Sequence, residues 1–161
     1  MGLQYRFSQA AVAKVAEARI RLGSDSDASA LRELLGLGGT LARYTADDGA
    51  LWLADPEAHR YDKVPVLGRN WHEALETGAR SDRALMIHYE SLLPQIGRAS
   101  NYLDTTSLEQ TMQAMTVIGM DASHYMDKRR LRLWNPATGL DHVVSLPAVT
   151  LKEEAASPSI R

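Results

Sequence analysis

The spacing of apolar residues changes along this chain, and that change limits the folds open to it. Residues 8–22, SQAAVAKVAEARIRL, set Ala11, Val12, Val15, Ala16, Ile20 and Leu22 close to a 3.6-residue period. That pattern predicts a helix with Ser8 as its N-cap and Gly23 at its end. Asp27 can cap a second helix, Ala28–Leu35, which the cluster Gly36, Gly38 and Gly39 is expected to stop. Beyond residue 120 the period falls towards two. His124–Met126, Leu131–Trp134, Val143–Leu146 and Ala148–Leu151 read as strands, with a turn at Asn135–Gly139. Helices first and an antiparallel meander last give an α+β fold, with N-terminal helices packed on a C-terminal sheet.

The middle of the chain is mixed. Leu41–Tyr44 and Ala50–Ala54 flank Asp47-Asp48-Gly49 like the arms of a hairpin, and Asp55-Pro56 is expected to break the run. Val64–Leu67 reads as extended. Trp71–Thr77 reads as a short helix, and Ser81–Leu93 as a helix closed by Pro94. Thr106 and Glu109 have capping-box spacing, so a helix is expected from there to about Thr116, ending before Gly119. The expected organisation is one domain over 1–151 and a frayed polar tail over 152–161, with no internal repeat.

Composition removes several function classes. The chain has 161 residues and no Cys, which excludes disulfides, thiolate zinc sites and iron–sulfur clusters. A chain this long can close a core by packing alone. A formal net charge of −2 offers no basic stripe, and the only dense basic run is Lys128-Arg129-Arg130 with Arg132. No nucleic-acid partner is therefore expected. No apolar run reaches the ~18 residues of a membrane span, and no signal peptide opens the chain, so a cytoplasmic protein, or one delivered into a target cell by a secretion system, is expected. The five His show neither HExxH nor His-x3-His spacing, so no metal and no cofactor is expected. Met112, Met115 and Met120 read as core filler, and Trp52, Trp71 and Trp134 as core anchors.

The segment from Ser123 to Pro136 holds the candidate chemistry. If its two strands form a hairpin, His124 and Asn135 fall on one face, directly opposed or diagonal. An Asn accepting from an imidazole is the orienting half of a nucleophile–base–orienter triad. Asn135 before Pro136 is equally a standard turn residue. With Gln4 six residues before Ala10, Ala10 opening the first helix, and His124 and an Asn-Pro turn far downstream, the chain resembles the papain-like cysteine proteases, including calpain-like and bacterial effector members. The resemblance implies a papain-like fold and a catalytic set of Ala10 at the nucleophile position, His124 as base, Asn135 as orienter and Gln4 as oxyanion donor. Three departures stand out: Ala10 replaces Cys, Ala11 replaces the usual aromatic, and the His-to-Asn spacing is short. It implies a hydrolase, protease or deamidase, of an effector or toxin, inactive in this Cys-less form, with a protein or peptide substrate and a cognate immunity or chaperone protein. Two alternatives stay open. One is a non-catalytic interaction protein (immunity protein, secretion chaperone or adaptor), which predicts that the four positions do not cluster. The other is a His-dependent, metal-independent nuclease toxin, which predicts a positive cleft around His124.

Overall fold

The computed structural model describes residues 2–5, 8–45, 49–66, 85–88, 90–146 and 149–155. In chain order the elements are β1 (Gly2–Tyr5), α1 (Gln9–Leu22), α2 (Asp27–Leu41), a 3-10 turn (Ala42–Tyr44), β2 (Ala50–Asp55) and β3 (Arg60–Pro65). They continue with β4 (Leu85–His88), a 3-10 turn (Glu90–Leu92), α3 (Leu93–Leu103), α4 (Leu108–Ser123), β5 (Arg130–Asn135), β6 (Leu140–Ser145) and β7 (Val149–Ala155). β1 and β4 form a two-stranded sheet, and the other strands form a five-stranded sheet in the order β3-β2-β5-β6-β7, antiparallel throughout. The class is α+β, as expected.

Local chemistry explains where the helices start. Ser8 caps α1 by accepting from the Ala11 amide at 3.1 Å, and Gly23 closes it at φ 70. The buried stripe is Ala11, Val15, Ala18 and Leu22; Ile20, expected inside, is 81% exposed. Ser26, one residue before the expected Asp27, caps α2. Pro94 opens α3 instead of closing a helix over 81–93, because a first-turn proline has no amide to leave unbonded. Residues 85–88 are strand β4 instead. At α4 the cap is Ser107, and Gln110, not Glu109, reaches back, accepting from the Thr106 amide at 2.9 Å. The helix expected over 71–77 and the turn residues Asp47 and Asp48 lie outside the described residues. Residues 152–155, expected in a frayed tail, are paired on β6 as the end of β7.

The glycine cluster does not stop α2. The helix runs through Gly36, Gly38 and Gly39 to Leu41 because α4 crosses it there at backbone contact. A Cβ on Gly38 would lie 1.9 Å from the Met115 carbonyl oxygen, and one on Gly119 would lie 2.1 Å from that of Leu34. α4 likewise passes through Gly119 and ends at Ser123. Met112 and Met115 are fully buried in this layer and Met120 nearly so, as expected of core filler. The helices pack on the sheet face carrying Leu51, Leu53, Leu131 and Leu133. Trp52 and Trp134 are cross-strand partners on the opposite face, half-buried, in an edge-to-face contact at 5.8 Å.

No internal repeat is expected from the sequence, yet the described elements repeat in order. The order strand, helix, helix, strand, strand occurs over 2–65 and again over 85–145. Gly23 and Asp104 close the first helix of each half in the left-handed region (φ 70 and φ 55), and Ser26 and Ser107 cap the second, each accepting at 3.1 Å. Gly38 and Gly119 hold equivalent places in the crossing. Each hairpin then turns through an Asx-Pro loop. Asp55 accepts from Glu57 and Ala58, Asn135 accepts from Ala137, and the chain closes through a left-handed His59 or Gly139. β2 and β5 meet in the register Leu53↔Leu133. Those leucines are themselves equivalents, so a local two-fold axis passes between them. Asp55-Pro56, expected as a break, is therefore one of two matched turns.

Candidate functional site

Beside the axis, in the angle between the β2–β3 hairpin and the end of α4, lies an open cleft of about 400 Å³ lined by Asp55, Asp62, Val64, Asp121, His124 and Tyr125. Strand period two brings Asp62 and Val64 to the helix-facing side of β3. The last turn of α4 supplies Asp121 and His124, with Tyr125 one residue beyond.

The lining is ordered by hydrogen bonds. Tyr125 Oη donates to Asp62 Oδ2 at 3.1 Å, and Arg60 Nε donates to Asp62 Oδ1 at 2.9 Å. Partial burial, then the Asp62 carboxylate, hold the Tyr125 phenol above its usual range. The amides of Ala58 and Glu57 hold Asp55 below the usual carboxylate range. Partial burial and the guanidinium of Arg21 hold His124 below the usual imidazole range, so at neutral pH the ring is uncharged. The lining thus carries three carboxylates and no cation, with the paired Arg60 at its rim.

The other half shows what this place looks like when filled. The residues equivalent to Asp62, His124 and Tyr125 are His142, Arg43 and Tyr44. There the Tyr44 and His142 rings pack at 4.7 Å, and each is only 3% exposed. One copy of the cleft is closed by the chain's own side chains; the other is open and acidic.

The sequence-predicted residues are distributed differently. Ala10 is exposed in the first turn of α1, and Gln4 lies on β1, whose side chains are outside the described part. His124 is the C-cap of α4, not the start of a strand. β5 pairs with β2 and β6, so Asn135 stands opposite Leu140. Its Oδ1 accepts from the Ala137 amide at 3.0 Å. The expected hairpin fails because α4 continues to Ser123 and the chain then turns at Lys128-Arg129, both left-handed (φ 52 and φ 62), between the paired Asp127 and Arg130. His124 faces the far end of α1, where Arg21 Nη2 donates to Ser123 Oγ at 2.8 Å. Ala10 is three helical turns from Arg21, about 16 Å along the axis. Neither Asn135 nor Ala10 is thereby brought to His124.

Two arginines of the basic run are engaged internally. Arg129 donates to the Leu22 carbonyl at the end of α1 and pairs with Glu33 at 3.3 Å, and Arg132 pairs with the buried Asp141 at 3.4 Å. Among the described residues no group of three or more His, Asp or Glu is disposed to hold a metal ion, and no helix is long and apolar enough to cross a membrane. Sequence reasoning missed Asp55, Asp62, Asp121 and Tyr125. The signal was the shared Leu-x-Leu-x-Asx-Pro of the two hairpins, which aligns Asp62 with His142; Tyr44 and Tyr125 correspond only through the helix ends that precede them. No known protein family, no curated protein and no solved structure matches this chain.

Proposed function

We propose that this chain is a non-catalytic binding protein of the adaptor, immunity or chaperone kind, whose acidic cleft receives a cationic side chain of a partner protein. One observation carries the reading: of two equivalent places, one is plugged by Tyr44 and His142 and the other stays open with Asp55, Asp62 and Asp121 on its walls. An arginine or lysine suits such a place because its apolar stem can lie along Val64 and Tyr125 while its head reaches the carboxylates. The carboxylate lining has the wrong sign for the phosphate backbone of a nuclease substrate. The separation of Ala10, His124 and Asn135 supports the non-catalytic reading over the hydrolase.

Titration with acetyl-arginine amide, followed by NMR, tests it. Resonances of Asp62, Asp121 and Tyr125 are expected to shift, and Asp62→Asn with Asp121→Asn to weaken binding about tenfold, the loss of one to two charge-assisted contacts. Raising salt to ~1 M, where the Debye length falls to ~3 Å, is expected to weaken it further. Equal binding of acetyl-glutamate amide would overturn the reading. A thiol probe on an Ala10→Cys protein is expected to show no His124-dependent labelling; such labelling would restore the hydrolase.

A further inference from the structure

Resting on that reading, we infer that Arg60 is the cleft's own stand-in for a partner's arginine: it holds the Asp62 carboxylate while the cleft is empty and yields it to an incoming guanidinium. The ligand is thus an arginine in preference to a lysine, and the fold supplies its own competitor for it.

The hairpin sets Arg60 between two of the cleft's carboxylates. It stands directly opposite Asp55 across the β2–β3 pair and two residues before Asp62 on the same strand. Directly opposed residues share a face, and so do residues two apart along a strand. All three therefore lie on the helix-facing side, where the cleft opens. Both carboxylates favour the charged guanidinium, Asp62 foremost. Asp55 Oδ1 already accepts from the Glu57 and Ala58 amides, and the hydrogen bond of Arg60 goes to Asp62.

This ion pair is not one the fold depends on. Asp141 is 1% exposed and is paired with Arg132, a carboxylate that burial obliges to keep a cation. Asp62 is 27% exposed and also accepts from Tyr125, and Arg60 is 62% exposed. A pair so open to water contributes little and is readily exchanged. Arg60 engages Asp62 through Nε, one of the five N–H donors a guanidinium carries. Its equivalent in the closed half is Leu140, so the arginine accompanies the open copy alone. An arginine entering along Val64 and Tyr125 can present two parallel N–H groups to the two Asp62 oxygens, each of which has a second lone pair for its present partner. A one-point contact is then exchanged for a two-point contact. A lysine ammonium has no such fork.

The test uses the whole chain, acetyl-arginine amide, and the corresponding lysine amide with its ε-amine free. NMR titration gives the affinities, and the Nε–H resonance of Arg60 reports on its own contact. On saturation with acetyl-arginine amide, that N–H is expected to exchange with solvent at least threefold faster than in the free protein, because its acceptor is taken. Arg60→Ala is expected to bind acetyl-arginine amide about three- to fivefold more tightly, which is what an exposed pair can withhold. Arg98→Ala removes an equal charge from an exposed position on α3 and is expected to change the affinity less than twofold. The lysine amide is expected to bind at least fivefold more weakly than the arginine amide. The stand-in role is overturned, with the cleft reading intact, if acetyl-arginine amide binds and the Arg60 Nε–H exchange is unchanged, if Arg60→Ala gains nothing, or if Arg98→Ala gains as much. Equal binding of the lysine amide overturns the preference for a guanidinium and likewise leaves the cleft reading standing. If neither compound binds to the parent chain or to Arg60→Ala, both readings fall.

Discussion

At the scale of single residues, His124 is the most sensitive reporter of the cleft. Its surroundings are mixed: partial burial is the largest influence and disfavours the imidazolium, as do Arg21 and Lys14 of α1, while Asp121 of its own helix and Glu17 of α1 favour it. The net effect is a folded-state pKa below the ordinary 6.5. The unfolded chain therefore takes up the proton first on acidification. This histidine's contribution to stability is full above about pH 6.5 and falls as the pH drops towards the folded-state value. The same proton places a positive charge in the cleft, so arginine binding should weaken over the same interval. An NMR titration is expected to give a midpoint below 6.5, and Arg21→Gln to raise it. A midpoint at or above 6.5, or one indifferent to Arg21, would contradict this account.

At the scale of elements, glycine has opposite meanings at different places. Gly38 and Gly119 lie where two helix backbones touch, and Gly97 lies in α3 with nothing within 4 Å of where its Cβ would be. Gly38→Ala or Gly119→Ala must push α2 from α4, and is expected to cost about 2–3 kcal/mol. Gly97→Ala removes freedom from the unfolded chain and should stabilise by about 0.5–1 kcal/mol. Urea unfolding of the three variants distinguishes these signs. The contrast also shows what is legible in the sequence. α1 is readable to the residue because Ser8 and Gly23 act locally. The true lengths of α2 and α4 are not, because their glycines answer to main chain distant in sequence, Gly38 to Met115 and Gly119 to Leu34. Pro94 misleads because a proline that cannot continue a helix is equally suited to begin one. The same limit governs the site. The sequence draws attention to His124 but assigns it to a strand, which directs the search for its neighbours to β5 instead of β3 and α1.

At the scale of the whole molecule, the repeated order of elements explains how an open cleft can arise without a special loop. Each half supplies a hairpin and a helix end, and the two resulting angles carry different side chains. Tyr44 on His142 fills one, whereas Tyr125 on Asp62 leaves the other accessible. Exchanging the two sets of residues offers a direct check. Asp62→His is expected to reduce arginine binding, because it removes a carboxylate and supplies the ring that closes the opposite copy. Undiminished binding by this variant would separate the cleft from the recognition of cations.

The crossing of α2 and α4 also bears on how the molecule comes apart. Each helix lies against the main chain of the other through Gly38 and Gly119, and the halves are further joined at Leu53 and Leu133. Neither half has a surface of its own at this seam, so opening one strips the other of its support. Native-state exchange should find the central amides of both helices, from opposite halves, released in one shared event with the same free energy and the same denaturant dependence. A protein whose parts are two copies of one plan would then behave, thermodynamically, as indivisible.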